Sequence, residues 1–109
     1  MADKLWKRAE REIAERIGGK RVPVTGRGRG SEPDIRHEWL SVEVKSRNSI
    51  PTWIKDAMNQ AVASIRGDQL PIVVIHENGA RYDDALVMVP LKDFTLWFGD
   101  AREPGETGE

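Results

Sequence analysis

The spacing of apolar residues changes from a helical period to a strand period and back along this chain, and this alternation constrains the fold most. Apolar residues recur every four positions from Leu5 to Ile17, which predicts an amphipathic helix over Lys4–Ile17 that ends at Gly18-Gly19. Two further helical patterns cover Thr52–Arg66 and Leu91–Phe98. Strand-like segments lie between the helices, at Lys20–Thr25, Asp34–His37, Leu40–Arg47, Pro71–Ile75 and Tyr82–Val89.

The resulting order of elements is α-β-β-β-α-β-β-α, which predicts an α/β fold with one mixed sheet flanked by helices. The β-branched run Pro71–Ile75 is expected to be a strand buried on both faces, and Asn78-Gly79 is a hairpin signal. A length of 109 residues favours one domain, which we assign to residues 1–99. Residues 100–109 are acidic and lack apolar patterning, which predicts a flexible tail.

The composition excludes several classes of protein. The chain has no cysteine, so disulfides, thiolate zinc sites and cysteine nucleophiles are ruled out. No apolar run approaches the roughly 20 residues that cross a bilayer, so no membrane partner is expected. The charged N-terminal segment, Met1–Arg11, lacks the apolar core of a signal peptide, and we therefore expect a cytoplasmic protein (the host cytoplasm if a phage encodes it).

The net charge of −1 conceals an uneven distribution of charge. The first 55 residues hold 13 Lys or Arg and 8 Asp or Glu, whereas the remaining residues hold 4 and 10. Local potential matters more for binding than the total charge does, so the basic half is able to form a face for a polyanion.

A pattern of carboxylates and one lysine surrounds two neighbouring strand-like segments. In a strand, alternate side chains share a face, so Glu43 and Lys45 point one way while Val42 and Val44 point the other. Asp34 begins the preceding strand, and a tight turn brings its carboxylate toward Glu43. Such hard oxygen donors suit magnesium or manganese.

A third carboxylate belongs to the first helix. At 100° per residue, Glu10 falls at the margin of the apolar stripe and points toward the sheet that this helix covers. A carboxylate aimed at packed surface needs a partner, and a metal held by Asp34 and Glu43 would supply one.

Together, Ala9-Glu10-Arg11-Glu12-Ile13, Pro33-Asp34 and Glu43-Val44-Lys45 resemble the PD-(D/E)XK nuclease superfamily. Within it the chain looks most like the archaeal-type Holliday junction resolvases and their phage relatives. The resemblance covers about residues 4–66 and includes the Gly/Arg loop between the first helix and the aspartate. It implies a restriction-endonuclease-like fold.

The resemblance also implies roles for individual residues. Asp34 and Glu43 would be the principal metal ligands, with the backbone carbonyl of Val44 as another. Glu10 would be a supporting ligand, directly or through water. Lys45 would orient or deprotonate the attacking water, or stabilise charge on the phosphate.

The implied activity is magnesium-dependent hydrolysis of phosphodiester bonds, with manganese able to substitute. The implied partner is branched DNA, above all the four-way junction, and symmetric cutting of a junction implies a homodimer. Gln60 on the second helix is a further residue expected to support the site. Contacts to DNA phosphates are expected from a set of basic residues: Lys20, Arg21, Arg27, Arg29, Arg47 and Lys55.

Two other functions fit the same residues. One is a different DNA repair or replication nuclease of the superfamily, acting on flaps or by nicking. The other is a DNA-binding module that does not cleave, against which the intact set of Asp34, Glu43 and Lys45 argues.

Residues outside this pattern are predicted to be structural. His37 and His76 have no partner at metal-ligand spacing and are expected on the surface or at strand ends. Trp97 and Phe98 are expected to close the core.

Overall fold

A computed structural model describes residues 4–23 and 33–99 of the chain. These ranges form a small mixed α/β protein with three helices and two small antiparallel sheets. The elements are α1 (Leu5–Ile17), β1 (Lys20–Arg21), β2 (Ile35–Arg36), α2 (Thr52–Ala63), β3 (Val73–Ile75), a 3₁₀ turn (Tyr82–Asp84), β4 (Leu86–Met88) and α3 (Leu91–Phe98). The predicted acidic tail, 100–109, lies outside the described residues.

The predicted single mixed sheet is replaced, within the described ranges, by two separate antiparallel ladders, β1–β2 and β3–β4. The segment Leu40–Arg47 contributes one isolated bridge, Ile35 to Val42, and no named strand. The pairing does not extend beyond this bridge, because the N–H of Val44 donates to the side chain of Asp34, at 2.6 Å. That N–H group is therefore not available for a hydrogen bond to the backbone of a neighbouring strand.

The chain divides into two compact units, each described here by itself. Among the described residues, the first comprises 4–23, 33–48 and 98–99, and the second comprises 49–97. In the first unit, α1 packs against β1 and β2. Ala14, Ile17 and the fully buried Ile35 form the centre of its core, and Leu40, Val42 and Val44 pack around them (together with Ile13).

The end of α1 is fixed by its glycines and by a histidine. Gly18 adopts a φ of 75°, a left-handed conformation in which glycine is strongly favoured. Gly19 lies so close to β2 that a Cβ atom there would be 2.6 Å from Cγ2 of Ile35. His37 bonds the carbonyl of Ile17 through Nε2 at 2.9 Å, while Nδ1 accepts the N–H groups of Trp39 and Leu40. The predicted position of His37 at a strand end is confirmed, because it directly follows β2, and its bonds join the turn after β2 to α1.

The second unit contains α2 and the β3–β4 hairpin. α2 ends at Ala63, three residues before the predicted end at Arg66, and beyond it the N–H of Ile65 donates to the carbonyl of Val62, only three residues back. The predicted apolar face is confirmed, because its members are the less exposed residues of the segment 52–66: Ile54, Ala57, Met58, Ala61 and Ile65. The prediction of a strand buried on both faces is wrong, since Val74 is 57% exposed and its register partner Val87 is 61% exposed.

Two further expectations for the C-terminal part need correction. The strand predicted over Tyr82–Val89 is shortened to β4 because Tyr82–Asp84 forms a 3₁₀ turn, in which the N–H of Asp84 donates to the carbonyl of Arg81. Trp97 and Phe98 do not close the core, because both are about half exposed. None of the helices in the described ranges combines the length and the apolar character that a membrane span requires.

Candidate metal centre

Hydrogen bonds to two neighbouring backbone segments fix the position of Asp34. The backbone N–H of Asp34 donates to the carbonyl of Val42 at 3.0 Å, and the backbone carbonyl of Asp34 accepts the N–H of Val22 at 2.9 Å. Its Oδ2 atom accepts the N–H of Val44 at 2.6 Å. These bonds form the tight connection predicted between Asp34 and the 42–44 segment, and they hold the side chain at 2% exposure.

Glu43 and Lys45 follow the alternation that the sequence predicts. Val42 and Val44 pack against the core of the first unit, so the two charged side chains point away from it. Their side chains are 60% and 66% exposed, and Lys45 Nζ lies 3.2 Å from Glu43 Oε2. An ion pair this exposed is weak and exchanges readily with other partners.

Glu10 is buried beneath the same surface, at 5% exposure, and is paired with a cation. The Nε–H of Arg21 donates to Glu10 Oε1 at 2.7 Å. The register explains this contact, because Arg21 lies opposite Ile35 in the β1–β2 pair. Directly opposed residues share a face of an antiparallel pair, and Ile35 belongs to the face that packs on α1.

Trp6 completes the surroundings of this ion pair. The guanidinium carbon of Arg21 lies 5.6 Å from the centre of the Trp6 ring, and Lys7 Nζ lies 5.5 Å from it.

A cavity of about 280 Å³ brings the predicted residues together in the first unit. It is lined by Trp6, Glu10, Asp34, Glu43, Val44, Lys45, Ser46 and Arg47.

The chemistry of this donor set fits a hard divalent cation. Three carboxylates border one cavity, two of them buried, and oxygen donors of this kind are preferred by magnesium and manganese. Within residues 4–23 and 33–99, however, no three Asp, Glu or His side chains are arranged to hold a metal ion. Glu10 and Glu43 are each engaged by a cation of the protein, so a metal ion at this cavity would compete with these cations for the carboxylates.

Of the other predicted residues that the structure describes, Arg47 lines the cavity and the rest do not. Gln60 and Lys55 are exposed residues of α2, in the second unit. Lys20 is exposed on β1, and Arg47 donates to the carbonyl of Ser46 at the cavity. Arg27 and Arg29 lie outside the described residues.

Sequence reasoning missed Trp6 and Ser46 as cavity residues, and it assigned Arg21 to DNA without its bond to Glu10. Nothing in the local sequence marks Ser46. The contact of Arg21 with Glu10 can be inferred from the position of Arg21 opposite Ile35, but only once the pairing of β1 with β2 is known.

A second Arg–Glu pair on α1 lies outside the cavity and provides a comparison. Arg16 Nη1 lies 2.8 Å from Glu12 Oε1, and both side chains are more than half exposed. The hydrogen bond and the charge of Arg16 lower the pKa of Glu12 below its usual value of 4.5.

In comparisons with known proteins, no family model, no curated protein and no solved structure matches this chain. The assignment of a function therefore depends on the chemistry of the cavity.

Proposed function

We propose that this protein is a metal-dependent, structure-selective DNA endonuclease whose preferred substrate is the four-way junction. The observation that carries the proposal is the cavity of the first unit, at which Glu10, Asp34, Glu43 and Lys45 meet. Buried carboxylates beside an exposed lysine are the side chains that hydrolysis of a phosphodiester needs.

A bound magnesium ion would neutralise phosphate oxygens and lower the pKa of its bound water, with manganese as a substitute. Asp34 suits the role of a fixed ligand, because backbone hydrogen bonds hold its carboxylate before any ligand arrives. Glu43 suits the role of an exchangeable ligand at the solvent side. Release of Glu43 frees the ammonium group of Lys45 to orient water or contact the phosphate.

Nucleic acid is favoured as the substrate by the charge around the cavity. Arg47 lines it, and the first 55 residues carry an excess of cations. Contacts of this kind reach phosphates and carry no base readout, so selectivity would come from the shape of the DNA.

The test is cleavage of a labelled four-way junction and of matched linear duplex, with magnesium and with EDTA. We expect paired, symmetric cuts in the junction that require the metal, with the duplex left intact. Asp34→Asn and Glu43→Gln should each lower the cleavage rate by about 100-fold or more, because each removes a carboxylate charge from the metal site. Asp83→Asn, at an exposed carboxylate of the second unit, is the matched control and should cut normally.

Equal cutting of junction and duplex would support the nuclease assignment and contradict the preference for junctions. Unchanged cleavage in Asp34→Asn would reject the site. Tight DNA binding with no cleavage under any metal would favour the non-cleaving module, an alternative that the engagement of Glu10 by Arg21 supports.

A further inference from the structure

We infer that Arg21 is an internal counter-ion of the acidic cavity, which neutralises Glu10 in the metal-free protein and competes with a divalent cation for that carboxylate. The inference rests on the proposed function, since it concerns metal entry at the same cavity. It adds a residue that controls metal affinity rather than a further ligand.

The first observation is that the Glu10–Arg21 pair is built into the packed part of the unit. Its two side chains are 6% and 17% exposed, and Nε of Arg21 lies 2.7 Å from Oε1 of Glu10. A charge buried to this extent is retained only when it is paired, so in the metal-free protein the guanidinium supplies the positive charge that a metal would otherwise supply.

It follows from this pairing that Arg21 and a metal cannot both neutralise Glu10 at full strength. A cation added beside Glu10 is repelled by the guanidinium, and the carboxylate has to divide its attraction between the two. Metal binding therefore includes the work of moving Arg21, which lowers the affinity for the ion.

The second observation is that Arg21 has space beside it. A second cavity of about 410 Å³ adjoins Trp6 and is lined by Lys4, Trp6, Lys7, Arg21 and Pro23. Trp6 borders both cavities. The guanidinium can leave Glu10 for this neighbouring space, and its position over the Trp6 ring makes that residue a reporter of the movement.

The experiment is calorimetric titration of manganese, without DNA, into the full-length protein and four variants. Arg21→Gln should bind the metal about tenfold more tightly than the unmodified protein, within the range typical of coupled sites. Arg21→Lys keeps the positive charge and should remain closer to the unmodified protein. Arg16→Gln removes the cation of the exposed pair on the same helix and should leave the affinity unchanged. Asp34→Asn should lose the metal.

Equal or weaker metal binding by Arg21→Gln would overturn the inference. If Asp34→Asn still loses the metal in that case, the proposed function survives. If neither the unmodified protein nor Arg21→Gln binds metal, the proposed function and the inference fail together.

A fluorescence titration tests the inference even if Arg21→Gln does not fold. Magnesium should change the tryptophan emission of the unmodified protein as the guanidinium leaves the Trp6 ring, and Trp6→Phe should lack this component while still binding the metal. A full emission change in Trp6→Phe would show that the signal comes from another tryptophan, and no departure of Arg21 from the Trp6 ring would then accompany metal binding, which would overturn the inference.

Discussion

At the scale of single residues, two glutamates of α1 are each paired with an arginine, and the two pairs differ mainly in burial. We predict that Glu10→Gln lowers the free energy of unfolding by about 1–3 kcal/mol, because the partly buried guanidinium of Arg21 loses its charged acceptor. Glu12→Gln should lower the midpoint of urea unfolding at pH 7 much less, since its pair with Arg16 is exposed to solvent. If the two substitutions lower the stability equally, burial does not account for the stabilisation by the Glu10–Arg21 pair.

The contribution of the Glu12–Arg16 pair to stability changes with pH in a definite direction. The pKa of Glu12 is lowered in the folded protein, chiefly by its hydrogen bond to Arg16, so any contribution of this pair is present above pH 4.5 and is lost as the pH falls through the folded pKa. Thermal melts of Glu12→Gln and the unmodified protein should therefore converge at acid pH. A difference that grows on acidification would contradict this sign.

The sequence predicts the direction of a side chain well where the alternation of faces along one strand determines it. The outward direction of Glu43 and Lys45 follows from the alternation with Val42 and Val44, and the structure confirms it. The bond between Arg21 and Glu10 was not predictable, because it depends on which residue of β2 faces Arg21. Pairing of this kind is set by the register of two strands and not by the residues of one.

At the scale of elements, the contact of α1 with β2 depends on a glycine. We predict that Gly19→Ala lowers the free energy of unfolding by about 1–3 kcal/mol, because the new Cβ would lie 2.6 Å from Cγ2 of Ile35 and 2.8 Å from the backbone oxygen of Arg36. Urea unfolding measures the change. Gly67→Ala is the comparison, because its Cβ meets open space and only the φ of 61° opposes it, at about 1–2 kcal/mol. A smaller loss in Gly19→Ala than in Gly67→Ala would contradict the close approach.

Helices are predicted more accurately than strands in this chain. The bounds of α3 agree with the prediction, and α1 begins one residue late, because a repeat of about four residues is a local signal. The strand predicted over Leu40–Arg47 is reduced to one bridge, since Asp34 takes the N–H of Val44. A distant side chain thus decides whether a segment of suitable composition becomes part of a ladder.

At the scale of the whole molecule, the cations and most of the exposed large apolar residues fall in different parts of the chain. Cations are concentrated in the first 55 residues, and the residues that follow are acidic. The second unit also exposes Val74 and Val87, which face each other in the β3–β4 pair. An acidic and apolar surface does not suit DNA, whereas apolar patches of this kind are typical of contacts between proteins.

A homodimer would cover such a surface and would bring two cavities to one junction. We predict a mass about twice the 12.3 kDa of the chain in sedimentation equilibrium. Val74→Lys should shift the protein toward the monomer, because it places a charge among apolar contacts. Asn59→Lys adds the same charge to an exposed residue of α2 and is the control. The monomeric variant should still bind metal but make unpaired cuts, since each protomer carries its own cavity. Paired cutting by a monomeric Val74→Lys protein would contradict the need for two protomers.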